Sequence, residues 1–295
     1  MIKLTKIIIL LLNIFLISCA GIGIKNKLPE TMKKLKDSNL YQDFSFLVWP
    51  GVEYKHEFIS NTFTRTFTKG QVSNEKTETV QFKVSYLGGA GNDRSLTQNV
   101  LVTTSDKRGA VALRDLAFPE PGVQVPYAYD YKANILRAGN ELPNSVFFIP
   151  PVLLPKGDVK AGDTWKNEFS WTTENGIGLV LDVVSILKSY YSCGDQVCAD
   201  LELSGVVYMK EDPTKASYGS ELAGRMIVST KTGQILWEQI RTGEKLFAEG
   251  KRIEVSSCLE SKMIAPVTEA HLKNKKMECD LKHKTAIFVD FPFSE

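Results

Sequence analysis

Four residues toward the C-terminal end have the types and spacing of a tetrahedral metal site. Cys258, His271, Cys279 and His283 run C-x12-H-x7-C-x3-H, and two thiolates with two imidazoles suit zinc. Against that chemistry, the leading pair is not a close C-x2-4-C and the segment between is rich in lysine. The other pair, Cys193 and Cys198, flanks a Gly-Asp turn between two apolar runs. That is hairpin chemistry, with two sulfurs placed to face each other.

Other chemistries find less to work with. Nucleophilic hydrolysis requires a serine or cysteine beside a base, often on a Gly-x-Ser-x-Gly elbow. The chain has no such elbow and three histidines, His56, His271 and His283. His56 alternates with Tyr54 and Phe58 on an expected strand, where a hydrogen-bonded structural role outweighs a catalytic one. Gly88-Gly89-Ala90-Gly91 lacks both the third glycine of a dinucleotide fingerprint and the Gly-Lys-Ser/Thr of a P-loop. A hairpin turn explains it better. Asp163, Trp165, Glu168 and Trp171 bring acids and indoles together as a sugar site would. They do not all share one strand face, however, and a turn aspartate before a core tryptophan accounts for the same letters.

The elements that must position these residues read as strands. Tyr54, His56 and Phe58 alternate with polar residues; so do Phe63, Arg65 and Phe67, and then Val80, Phe82, Val84 and Tyr86. Threonine, valine and aromatic residues dominate, as pleated half-buried surfaces require. Glycine-bearing turns separate the runs, giving an antiparallel meander. From Phe118 to Pro155 the chain carries seven of its twelve prolines. Proline cannot donate to a ladder, so this stretch reads as a connector with short edge strands. Strands resume in Gly178–Tyr191, Ala199–Lys210, Arg225–Thr230 and Gln234–Ile240. Residues 51–58 and 162–169 share glycine, aromatic, lysine, glutamate and phenylalanine in one order, as a duplicated β-unit would.

Where the chain works is read from its beginning. Lys3 and Lys6 precede an apolar run from Ile7 to Ile17, broken by Asn13 and followed by Ser18 and Cys19. The run is too short to span a bilayer and has the basic start and small-residue finish of a secretory signal. Leu16-Ile17-Ser18-Cys19 resembles the lipobox of bacterial lipoproteins. The resemblance covers the leader alone; it implies cleavage before Cys19 and acylation of the Cys19 thiol. Ala20 stands where aspartate would, by resemblance to enterobacterial sorting rules, hold the protein at the inner membrane, which implies an outer-membrane destination.

Removing the leader takes two of the 36 basic side chains and leaves 34 against 34 acidic ones. A neutral chain offers no footprint for nucleic acid and no basic patch for anionic lipid. Export to an oxidising compartment makes disulfides the default for four cysteines. Cys193 is therefore expected to pair with Cys198 and, by elimination, Cys258 with Cys279, which ranks zinc second.

The expected organisation is a signal peptide at 1–18, a lipidated tether with a short helix around Leu28, Met32 and Leu35 at 19–43, β-rich units at 44–140 and 144–257, and a disulfide-tied tail at 258–295. The fold class is mainly β, with alternation fitting a sandwich or a curved half-barrel-like sheet. For function, the leading expectation is a non-enzymatic lipid-anchored envelope protein with a binding or structural role and no cofactor, its partners a membrane and a protein or hydrophobic ligand. The alternative is a carrier holding a lipid or other hydrophobic ligand in a β-sheet cavity, in the manner of lipoprotein-sorting factors. A zinc-dependent or glycan-acting enzyme ranks third.

Overall fold

Period-two runs of this length fold into long strands. The structure, a computed structural model, describes residues 33–35, 42–92, 95–108, 113, 117–173, 175–193, 196–212, 218–248, 250–266, 277 and 279. Its strands are β1 (Lys33–Lys34), β2 (Glu53–Thr68), β3 (Gln71–Asn92), β4 (Ser95–Arg108), β5 (Gln124–Tyr129), β6 (Ile135–Ala138), β7 (Thr164–Thr172), β8 (Gly178–Cys193), β9 (Gln196–Met209), β10 (Tyr218–Ser229), β11 (Ile235–Ala248) and β12 (Lys251–Ala265). Along β2, Tyr54, His56, Phe58, Ser60 and Thr62 are buried while Glu53 and Lys55 are exposed. The β2–β3 hairpin turns on Lys69 and Gly70, both at positive φ (51° and 76°). Two consecutive positive φ values match the right-handed twist of the flanking strands.

All twelve strands join one open antiparallel sheet, ordered β1-β8-β9-β10-β11-β12-β2-β3-β4-β5-β6, with β7 also on β8. The two expected β-rich stretches are thus halves of a single sheet. The joint is β12 against β2, from Lys251 opposite Thr68 to Ala265 opposite Lys55. The expected boundary at 257 falls inside β12, so Cys258 is a strand residue whose partner Cys279 lies in the tail. Near the N-terminal end, Lys33 and Lys34 are extended where a helix is expected. They pair with Ser192 and Tyr191 of β8, just beyond the stretch that β7 covers. An unpaired strand edge is a template for any extended segment, and here it outweighs the helical spacing.

The sheet curls. Adjacent amides at Phe46 and Leu47 donate to Tyr131 O and Thr232 O, each at 2.8 Å. Tyr131 follows β5, and Thr232 sits in the β10–β11 turn. On a flat sheet β5 and β11 would stand five spacings, about 24 Å, apart. One dipeptide bridges them only because the sheet wraps around.

The concave side is filled by the proline-rich connector. Phe118 meets both Phe58 and Phe82 edge-on at 4.9 Å. Val152, Leu153 and Leu154 are buried, and the indole of Trp165 donates to Leu153 O at 2.9 Å. The connector does contribute short strands, but Pro126 sits in six-residue β5, which lies between β4 and the edge strand β6.

Cys193 and Cys198 close the β8–β9 hairpin with Cα atoms 5.9 Å apart, and Cys258 pairs with Cys279 at 5.5 Å. A five-residue closure restricts the unfolded chain modestly. Replacing Cys193 and Cys198 together by serine is expected to lower stability by about 2 kcal/mol, read from urea midpoints at constant slope.

Candidate functional site

Between the curled sheet and the connector lies an apolar cavity of about 140 Å³. Cross-strand register assembles its wall: Gln98 of β4 stands opposite Tyr127 of β5, Val100 opposite Tyr86 of β3, and His56 and Phe58 come from β2. Tyr129 of β5, Ile235 and Glu238 of β11 and Leu259 of β12 continue it. Phe46, Ala117, Phe118 and Val152 cover it from the loops, and Phe147 from a single 3-10 turn at Val146–Phe148. Ile135, Val146 and Ile149 also line it and are half-buried.

Aromatic packing fixes these walls. Phe58 and Phe82 stack at 4.8 Å and 3° between planes. Phe46 tilts against Tyr129 at 5.0 Å, and Tyr127 stacks on Tyr129 at 5.8 Å. His56 lies over Phe58 at 6.0 Å and meets Tyr86 edge-on at 5.3 Å. Such pairs are favourable beyond the area they bury.

Burial decides the electrostatics. Desolvation pulls His56 down to about 3, so it is neutral at physiological pH. The Glu238 carboxyl is pushed up to about 7 by burial, partly opposed by the Ser261 hydroxyl, which donates to Oε1 at 2.7 Å. Burial, and then the Glu238 charge, raise Tyr86; burial raises Tyr129 in the same way. The lining contains no lysine or arginine. Among the described residues of the lining Glu238 is the one carboxylic acid, and burial favours its uncharged form.

Sequence reasoning found His56 but not Glu238, Gln98 or Gln234. The signal for Glu238 is a charge inside the run Ile235-Leu236-Trp237-Glu238-Gln239-Ile240. A bulge hides its partners: Ile227 pairs with Trp237 but Val228 pairs with Ile235, leaving Leu236 over. Leu236 and Trp237 pack with Tyr54 and Met263, whereas Ile235 and Glu238 line the cavity. Simple alternation puts Ile235 and Glu238 on opposite faces; the extra residue brings them together.

The other sequence candidates fall elsewhere. Cys19, His271 and His283 lie outside the described residues. With Cys258 bonded to Cys279, both sulfurs of the zinc set are withdrawn as thiolates. Among the described residues no group of three or more His, Cys, Asp or Glu side chains fits a metal ion. Asp163 accepts from the Lys160 amide at 2.9 Å, as a turn aspartate does. Trp171 is buried while Glu168 is exposed; strand alternation sets them on opposite faces and dissolves the sugar platform. Gly88 to Gly91 lie within β3, and the turn comes after Asn92. A Cβ on Gly88 would stand 2.1 Å from Trp49 O, so close backbone approach explains that glycine.

No family model matches the chain, and no curated protein matches it. Among solved structures it is similar to lipovitellin, in work on lipid–protein interactions, with 11% identity and a TM-score of 0.44 over 74% of this chain and 25% of that one. It is also similar to an outer membrane channel from Pseudomonas putida, with 10% identity and a TM-score of 0.25 over 75% and 98% of the two chains. A LolA superfamily protein from Nitrosomonas europaea gives 12% identity and a TM-score of 0.15 over 71% and 86%. The chain spans a quarter of the lipovitellin length, and likenesses of this depth carry no functional argument.

Proposed function

We propose that the protein binds a small hydrophobic molecule, or the apolar end of a larger one, in the cavity beneath the curled sheet. It does so as a non-enzymatic lipoprotein of the cell envelope, held to the membrane by acylated Cys19 as the lipobox-like leader implies. The observation that carries the reading is the cavity: interiors are close-packed, and an apolar void the size of a ring is rare in them. Its volume, about 140 Å³, approaches that of an engineered cavity of about 150 Å³ that binds benzene. A ring or a short acyl segment fills it; the remainder of a longer lipid would leave past Ile135, Val146 and Ile149. This is the carrier reading with a size attached.

Titration calorimetry with toluene tests it. Wild-type protein is expected to bind toluene, and Ile149→Trp, which turns an indole into the cavity, is expected to bind at least tenfold more weakly at a stability change of about 1–3 kcal/mol. Undiminished binding in Ile149→Trp would move the site elsewhere, and absence of binding in the wild type would end the proposal.

A further inference from the structure

Away from the cavity, one corner of the sheet joins exposed apolar side chains to unpaired lysines. At the ends of four strands Phe247 stands opposite Arg252, Arg252 opposite Phe67, and Phe67 opposite Val72. Directly opposed residues share a face, so the four form one row. It lies on the outer face, since Phe67 alternates with the positions that follow cavity-lining Phe58 along β2. Val72 and Phe247 are 51% and 40% exposed, and the Arg252 guanidinium lies 4.0 Å over the Phe67 ring. Beyond the row two hairpin turns stand side by side, because Lys251 pairs with Thr68. A Cβ added to Gly70 or Gly250 would meet nothing within 4 Å, so both turns project into open space. Between them Phe67, Lys69, Phe247, Lys251 and Arg252 line a groove.

Residues 65–78 and 245–254 hold six basic side chains against four acidic ones. The two stretches are far apart in the sequence, and the β12–β2 pairing brings them together. Three of the basic groups are engaged: Arg65 with Glu75 and Lys76 with Glu78, each at 2.7 Å, and Arg252 with Glu254 at 3.4 Å. Lys69 and Lys251 are exposed and have no ion pair among the described residues. We propose that this corner docks on an anionic lipid bilayer, a contact that goes beyond the cavity reading and rests on no part of it. The row meets the membrane face-on. Val72, Phe67 and Phe247 enter the boundary between headgroups and acyl chains, as the apolar side of an interfacial element does beside its lysines. Lys69 and Lys251, at the margin of the row, extend their stems across it and set their ammonium groups on lipid phosphates.

Hydrogen exchange read by mass spectrometry tests the contact on protein purified from its own membranes. The protein is reconstituted into vesicles of phosphatidylcholine alone, or of phosphatidylcholine and phosphatidylglycerol in equal parts, so that any lipid anchor acts alike in both. Amides at 67–72 and 250–252 are expected to exchange about tenfold more slowly in the anionic vesicles, within what two lysines near such a surface supply. High salt is expected to erase the difference. The β8–β9 hairpin, which turns at the other end of the sheet, is expected to exchange alike in both. Lys69→Gln with Lys251→Gln is expected to remove the slowing, and Val72→Thr with Phe247→Thr to weaken it. All four positions are exposed, and unchanged exchange at the β8–β9 hairpin reports an intact fold. Equal exchange of the two turns in both vesicles, or undiminished slowing in either double variant, would overturn the proposal and leave the cavity reading standing. The same slowing by inorganic phosphate in detergent would assign the lysines to a soluble anion and overturn it too.

Discussion

Replacing Phe58 by alanine is expected to lower stability by about 3–5 kcal/mol. Phe58 is 3% exposed and stands where the two halves of the molecule meet. Its backbone pairs with Phe82 on one side and Ser261 of the joining strand β12 on the other. Its ring stacks on Phe82 at 4.8 Å and takes the edge of Phe118 at 4.9 Å. Truncation removes the transferred apolar surface and leaves a void that β2, pinned between two long neighbours, cannot close by moving. The void also adjoins the binding cavity, so the variant is expected to accept larger apolar ligands while being less stable. Urea unfolding followed by tryptophan fluorescence reads the first effect. A loss below about 1 kcal/mol, the range of a tolerated repacking, would mean that Phe58 does not join sheet to connector as described.

Glu238→Gln is expected to stabilise the protein, and only above the pH at which the unfolded carboxyl ionises. Burial raises the folded carboxyl from 4.5 to about 7. Between those values the unfolded chain has released this proton while the folded chain keeps it. The contribution of this carboxyl to stability therefore falls as pH rises through that window and is level above it. The penalty, fully absent below the unfolded value, reaches on the order of 3 kcal/mol by pH 8. In the folded protein the surrounding groups do not titrate there, with His56 held near 3 and Tyr86 pushed upward from 10. The unfolded His56 does titrate near 6.5, but alike in both proteins, so it cancels in the difference. Glu244, also raised by burial, bends the curve of each protein alike and cancels in the difference. The expected result is a gap between variant and wild type near zero at pH 4 that widens to about 3 kcal/mol at pH 8. A gap independent of pH would show that Glu238 is not buried as an acid.

Much of the architecture was legible because alternation is local. Arg65 shares a face with Phe63 and Phe67 in the sequence pattern, and its guanidinium lies 5.4 Å and 6.0 Å from their rings. The proline-rich connector and the cysteine hairpin were equally legible, since proline lacks a donor and a Gly-Asp turn needs few residues. What escaped notice is non-local. Nothing near Cys258 announces that its strand pairs with residues about 200 positions earlier, and that pairing turns two expected units into one sheet. The repeated octapeptides do open both strand series, with Gly51 and Gly162 at positive φ (77° and 96°). Yet Tyr54 pairs with Tyr86 whereas the equivalent Trp165 pairs with the nearer Ser185, so the two hairpins differ in length. At the site, His56 was visible as a member of an alternating face, but its neighbours were not. Glu238 shares a face with Ile240, a one-residue bulge brings Ile235 to the same side, and Gln98 joins them only through the curl of the sheet.

Native mass spectrometry of the wild-type protein purified from its own membranes tests the binding claim most directly. The predicted spectrum shows the chain beginning at acylated Cys19 and, at low collision energy, a second species heavier by one small neutral molecule. Ile149→Trp is expected to lack that species. A spectrum holding only the unliganded chain, or an adduct that Ile149→Trp retains in full, would contradict a ligand site beneath the sheet.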